Sequence, residues 1–285
     1  MTAVVLDGER VARQIRDEVA GRVEKLKAQG ITPGLGTILV GDDGPSGRYV
    51  AMKHADCAEV GITSVHAHLP QDATEAQLHA TIREFNENPA VDAYLIQIPL
   101  PRQLDEAQAL LAVDPDKDVD GLHPVNLGRL VMGAPGPISC TPAGIVELLA
   151  AYGVEVEGKD VVIIGRGLTI GRPLALLMAM RRPHCNAAVT VVHTGVPNLA
   201  EHVRRADVVI AAAGSAGLVT AEMVKPGAAV VAAGVTRDGK RILSDVADGV
   251  EEVAGFLSPR MGGVGPMTRA MLLKNTVAAA ERRAS

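Results

Sequence analysis

The sequence predicts an α/β fold, and two observations carry that prediction. Up to Pro101, short apolar runs alternate with stretches of helical periodicity, the pattern of parallel strands joined by helices. Further on, Asp160–Pro173 reads DVVIIGRGLTIGRP. Its β-branched run suits a strand buried on both faces; Gly165, Gly167 and Gly171 follow, then a helix over Leu174–Met180 with Pro173 near its first turn. A strand, a glycine turn and a helix N-terminus make an anion site, because bare backbone lets a phosphate approach unpaired N–H groups at the positive end of the helix dipole. The spacing G-x-G-x-x-x-G is one residue longer than the usual dinucleotide pattern, and a tight turn in any α/β sheet is the competing reading.

Each element follows from its residues. Val4–Leu6 is a short strand, and Val11, Ile15, Val19, Val23 and Leu26 recur at helical spacing before Gly30 and Pro33 stop the helix. Leu35–Val40 is a strand, Gly41–Gly47 (GDDGPSG) a loop, and a helix runs from about Ser46 to Val60. Thr63–Leu69 alternates as a strand; Thr74 and Gln77 stand at capping-box spacing for a helix to Asn86; Ala93–Ile98 is a strand closed by Pro99. Leu104–Leu111 is a short helix, Asp114–Arg129 a polar, loop-like stretch, and Thr141–Tyr152 a helix leading into the glycine turn. Strands follow at Ala188–Val192, Val208–Ala212 and Ala228–Ala232. A last helix after Met261–Thr268 (MGGVGPMT) has no following strand, so its expected place is back on the first domain.

Composition removes several classes. A length of 285 residues allows one or two domains, and 47% hydrophobic residues with a mean hydropathy of +0.18 suffice for sizeable cores. A net charge of −5, no Trp and two Phe argue against nucleic acid as a partner. Cys57, Cys140 and Cys185 cannot all pair and form no C-x-x-C, so a reduced, cytoplasmic setting without a metal is expected. Asp7, Glu9 and Arg10 leave no visible signal peptide, and no apolar run reaches membrane-spanning length.

The strand after the glycine turn ends in His193–Thr194–Gly195, where an NAD site would place an acid to hold the ribose 2′-OH. Arg166 lies in the turn itself, where a guanidinium meets a 2′-phosphate, so NADP is the expected cofactor. In the first domain, Ser46, Tyr49 and Lys53 share one helix face just beyond a parallel strand, where α/β proteins bind ligands; an amphipathic helix with a solvated lysine would show the same spacing. Gln97 is an amide in the otherwise apolar YLIQIPLP, and Asp120 lies in an acidic loop. Y-x-x-x-K also occurs in short-chain dehydrogenases, but there the glycine turn precedes it, and here it follows in a separate domain.

The segments YVAMKHADCAEVGI (Tyr49–Ile62), IQIPLP (Ile96–Pro101), DKDVDGLHPVNLGRL (Asp116–Leu130), CTPAGIVELL (Cys140–Leu149), GRGLTIGRP (Gly165–Pro173) and GGVGPMT (Gly262–Thr268) resemble, in family order, the bifunctional methylenetetrahydrofolate dehydrogenase/methenyltetrahydrofolate cyclohydrolases. The resemblance implies two α/β domains flanking a cleft, the second of Rossmann type, with a C-terminal helix returning to the first. The implied boundaries are 1–139 plus 268–285 for folate and catalysis and 140–267 for NADP. Oxidation of 5,10-methylenetetrahydrofolate, hydrolysis of the methenyl product to 10-formyltetrahydrofolate, and a homodimer are implied too. So are site roles: Tyr49 against the folate, Lys53 as acid/base, Gln97 tuning it, Asp120 on the pterin, and Gly165, Arg166, Gly167, Thr194 and Val235 on the cofactor.

Departures from the family pattern bear on the cofactor side. Ala232 stands where Asp is usual, Ser244 where Gly precedes Asp-Val, Met261 where Pro precedes Gly-Gly-Val-Gly-Pro, and Gly167 where Ser is commoner. A monofunctional dehydrogenase and a non-catalytic folate- or nucleotide-binding protein remain the alternatives.

Overall fold

The computed structural model describes residues 2–41, 44–239 and 241–284, apart from the side chains of Pro45, Ser46 and Arg237. Asp42 and Asp43 of the expected loop, and the Ser46 side chain of the expected helix face, therefore lie outside the described residues. The chain divides into two compact units: Arg13–Cys140 with Arg269–Ser285, and Met1–Ala12 with Thr141–Thr268.

The chain opens with β1 (Val4–Val5) and α1 (Gly8–Ala28), the helix passing from one unit's residues to the other's after Ala12. The first unit continues with β2 (Gly34–Val40), α2 (Gly44–Val60), β3 (Thr63–Leu69), α3 (Glu75–Glu87), β4 (Ala93–Ile96), α4 (Glu106–Ala112) and α5 (Pro124–Met132). Its sheet is parallel, in the order β3-β2-β4. The expected capping box at α3 is present: Gln77 N donates to Thr74 Oγ1 at 3.3 Å, and Thr74 N to Gln77 Oε1 at 2.8 Å. One sheet face packs Ile38, Val40, Tyr94 and Ile96 against Leu78, Ile82 and Phe85 of α3. Full burial of such a side chain stabilises by about 1.5–3 kcal/mol.

The stretch read as a loop over Asp114–Arg129 has more structure than its polarity suggested. Tyr94 N donates to Lys117 O and Val119 N to Tyr94 O, so 117–119 lies along β4. α5 then starts with Pro124 in its first turn and His123 as cap, and ends on Gly133 at φ +67°. Buried Asp118 holds the turn between them, accepting from Gly121 N, His123 N and Asn126 Nδ2 at 3.1, 2.8 and 3.0 Å.

The second unit contains α6 (Cys140–Ala151, from Thr141), β5 (Asp160–Ile164), α7 (Gly171–Ala179), β6 (Ala188–Val192), α8 (Leu199–Arg205), β7 (Val208–Ala211) and β8 (Ala229–Ala232). A hairpin follows, β9 (Val235–Asp238) with β10 (Arg241–Ser244), then β11 (Phe256–Leu257). α9 (Val264–Ala284) starts here and runs on into the first unit's residues. The sheet order is β1-β11-β8-β7-β5-β6, and its pairings are parallel.

By contacts residues 1–12 group with the second unit, because β1 pairs with β11 through Val4–Phe256 and Val5–Leu257. A two-residue strand carries no sequence signal for a partner so far along the chain. The small-residue stretches around β7 and β8 are interior strands, bonded on both sides.

Candidate active site

Two sets of candidate residues come together, one in each unit. In the first, α2 leaves the carboxyl end of β2 and carries Tyr49 and Lys53; Gln97 follows β4 directly, its N–H donating to Ile38 O at 2.8 Å. The sequence placed Gln97 inside the strand, and the paired segment ends one residue before it. Lys53 is 6% exposed, and its Nζ donates to Gln97 Oε1 at 3.1 Å. The Gln97 amide donates to Ile98 O at 2.8 Å, which fixes its orientation: a flipped amide would set oxygen against the carbonyl and N–H against the amine. Lys53 Nζ also lies 5.2 Å from the centre of the Tyr49 ring.

Burial pushes the Lys53 amine down from its ordinary pKa, and the charge of Asp120 is the largest influence in the opposite direction. Burial pushes Asp120 up, against the pull of Lys53. Tyr49 is raised by burial as well, so its phenol stays neutral. A lysine able to exist uncharged, an amide acceptor that orients it and a carboxylate that modulates it can move a proton to and from a bound substrate. Sequence reasoning missed three neighbours. Arg269 of α9 pairs with Asp56 at 2.7 Å, Cys140 Sγ donates to Val119 O beside Asp120 at 3.3 Å, and Asn275 bonds Val119 and Ile138. Arg269 and Asn275 arrive from a distant helix and have no local signal; Cys140 sat inside the recognised CTPAG segment.

In the second unit the chain goes from β5 to β6 on one side and returns to β7 on the other, which makes the crevice between β5 and β7 the switch point where such sheets bind ligands. Gly165 stands there at φ +132°, and a Cβ on it would lie 2.1 Å from Ala212 O. A Cβ on Gly171 would lie 2.2 Å from Gly165 O. Both positions exclude a side chain. α7 begins after Ile170 with no side-chain cap; Arg172 N donates to Gly167 O at 3.1 Å and Pro173 has no N–H, which leaves the Gly171 N–H at the helix start for an anion. The turn therefore fits a dinucleotide phosphate. Arg166 and Gly167 are exposed on it, and Thr194 is exposed at the tip of the neighbouring β6, brought close by Gly165 N bonding Val192 O at 2.8 Å. Val235, 52% exposed, lies beyond the end of β8, on the other side of the crevice from Thr194.

The loop on the β7 side of the crevice hangs on a residue that sequence reasoning passed over. Asp245 is fully buried and accepts from Ala213 N, Gly214 N and Ser215 N at 2.7, 2.9 and 2.8 Å. Gly234 makes room for it, since a Cβ there would collide with the carboxylate. Ala232, Ser244 and Met261, three of the positions that depart from the family pattern, line a single cavity of about 650 Å³ at the carboxyl ends of β8 and β11.

Comparison with known proteins agrees with both halves. Residues 6–120 match the family model for the tetrahydrofolate dehydrogenase/cyclohydrolase catalytic domain, and residues 139–284 match the model for its NAD(P)-binding domain. A bifunctional protein FolD from Syntrophotalea carbinolica is 56% identical over 284 residues, covering 100% of this chain and 98% of the relative. The crystal structure of the bifunctional FolD from Campylobacter jejuni is 39% identical with a TM-score of 0.94, covering 99% of both chains. A FolD structure from Trypanosoma brucei, complexed with NADP and an inhibitor, is 38% identical with a TM-score of 0.94, covering 100% of this chain and 99% of its own. The glycine turn, the lysine site and these matches along the whole chain lead to one assignment: the chain belongs to the tetrahydrofolate dehydrogenase/cyclohydrolase family.

Proposed function

We propose that Lys53 is the acid/base group of a bifunctional site, with Gln97 orienting its amine, Tyr49 lying against the folate and Asp120 binding the pterin. The enzyme oxidises 5,10-methylenetetrahydrofolate with NADP⁺ and hydrolyses the 5,10-methenyl product to 10-formyltetrahydrofolate. The observation that carries the residue roles is the buried Lys53 amine, held by Gln97 Oε1 and depressed in pKa by its burial.

NADP⁺ supplies the hydride acceptor when bound. Gly165 and Gly167 admit its phosphates to the backbone, Arg166 and Thr194 meet the ribose phosphate, and Val235 contacts it on the β8 side. For oxidation the protein's part is placement, holding the methylene carbon in near-attack geometry. For hydrolysis the neutral Lys53 amine takes a proton from water as its oxygen bonds to the methenyl carbon. The resulting ammonium gives that proton to N5 as the C–N5 bond breaks, and the carbinol oxygen releases its remaining proton to solvent, leaving the formyl group on N10.

The enzyme acts as a cytoplasmic homodimer on this reading, which rests on the family resemblance. Sedimentation as a monomer at micromolar concentration would contradict the dimer. A spectrophotometric assay that follows methenyltetrahydrofolate tests the function: it should appear only with NADP⁺ and then decay. Accumulation without decay would mean a monofunctional dehydrogenase, and no appearance a non-catalytic binder.

A further inference from the structure

Two stretches of the first unit run side by side next to the site's carboxylate. Ser139 Oγ donates to Gly121 O at 3.0 Å, and Cys140 Sγ donates to Val119 O at 3.3 Å. Gly121, at φ +66°, comes so near that a Cβ on it would stand 2.7 Å from Ser139 N. Asp120 lies between the two bonded carbonyls. Burial pushes the Cys140 thiol well above its ordinary pKa, so it keeps the proton it donates.

α9 closes this arrangement. Asn275 Nδ2 donates to Val119 O at 2.9 Å and to Ile138 O at 3.0 Å, and stands 3.5 Å from Cys140 Sγ. A primary amide has two N–H groups, and the two carbonyls use both. The rotated amide would set its oxygen against two carbonyl oxygens, so the orientation is fixed. One side chain thus ties both stretches together on either side of Asp120.

We propose that Asn275 is a positioning residue for the hydrolytic reaction: it locks Val119–Gly121 to Ile138–Cys140 and so holds the Asp120 carboxylate in register with Lys53. The inference rests on the reading of Lys53 and Asp120 given above. Without the lock, Asp120 drifts, the folate loses its aligned partner, and Lys53 loses the main influence that opposes its depression by burial.

The test uses the full chain with Asn275→Leu, which removes both donors at similar volume. The KM for methenyltetrahydrofolate should rise about tenfold, the worth of one well-made hydrogen bond. Cyclohydrolase rate should rise with pH as Lys53 loses its proton, and in the variant that limb should move to lower pH, because a weaker pull from Asp120 leaves the amine easier to deprotonate. NADP⁺ affinity should not change. Thr276→Val is the structural control: it removes only a bond within α9, Thr276 Oγ1 to Leu272 O at 2.9 Å, and should lower the melting temperature without moving KM or the limb. Ser139→Ala frees the Gly121 side alone and should shift both readouts in the same direction by less, and it decides the matter if Asn275→Leu does not fold. Unmoved KM and limb in the folded variants, or equal shifts in Thr276→Val, overturn the proposal. Lys53→Met separates the two readings. If it still hydrolyses at near wild-type rate, the site itself is misassigned; if it is inactive while Asn275→Leu behaves as wild type, only the role of Asn275 fails.

Discussion

The two candidate sites are made of different material. The lysine site is a set of side chains: a buried amine and a phenol from α2, an amide from the end of β4 and a carboxylate from the segment beside β4. The nucleotide site is mostly bare backbone: two glycines that exclude a Cβ, an uncapped helix start, and a loop hung from one buried carboxylate. Side-chain chemistry is lost all at once when its one proton carrier is removed. Backbone chemistry is spread over several N–H groups, so single changes alter it by degrees. By the family resemblance, the departures Ala232, Ser244, Met261 and Gly167 fall on the nucleotide side, where a single change is expected to act by degrees.

The sharpest way to break the contrast is Lys53→Met, which keeps much of the stem and removes the proton-carrying group. Cyclohydrolase activity should fall by ~10²–10⁴-fold. NADP⁺ affinity measured by titration without folate should hardly move, and a parallel loss would show the sites to be coupled. Arg166→Ala is next: NADP⁺ binding should weaken by about 1.5–3 kcal/mol, the worth of a charge-assisted bond, while NAD⁺ is nearly unaffected. Equal losses in the two titrations would remove Arg166 from the 2′-phosphate.

Asp245→Asn puts an N–H₂ group where one of three backbone donors now finds an acceptor. Thermal unfolding should report a loss of about 1–3 kcal/mol, and dehydrogenase activity should fall more than cyclohydrolase activity. A stable variant with both activities intact would mean that the β7 loop does not need this anchor. The smallest effect is expected from Gly167→Ser. Its φ is not in the left-handed range and a Cβ there meets nothing within 4 Å, so the side chain enters freely. One added hydroxyl should tighten NADP⁺ by about 0.5–1.5 kcal/mol, and weaker binding would show that the turn needs glycine for closer approach.

The same contrast governs what could be read from sequence. Lys53 and Tyr49 were legible because helical spacing puts them on one face, and Gln97 because an amide in an apolar run asks for a partner. The glycine turn was legible from its neighbours, a β-branched strand and a helix. α5 was lost in the polar stretch before it, although Pro124 and Gly133 occupy the positions where helices start and stop. Asp245, Arg269 and Asn275 were out of reach, since each acts on residues that only the tertiary fold brings near. The hairpin β9–β10 was missed for want of a long apolar run; Val235 and Arg241 at its strand starts are both exposed.

Because neither unit is a continuous stretch, order of synthesis matters. The lysine, amide and carboxylate of the first unit emerge from the ribosome before any of Thr141–Thr268, but the part of α9 from Arg269 on, which carries Asn275, emerges only after all of it. Until then Val119 O and Ile138 O lack the donor that Asn275 later brings. The hydrolytic site is therefore finished after the nucleotide unit has been made, and a nascent chain can hold its cofactor fold before it can hold its folate chemistry in place.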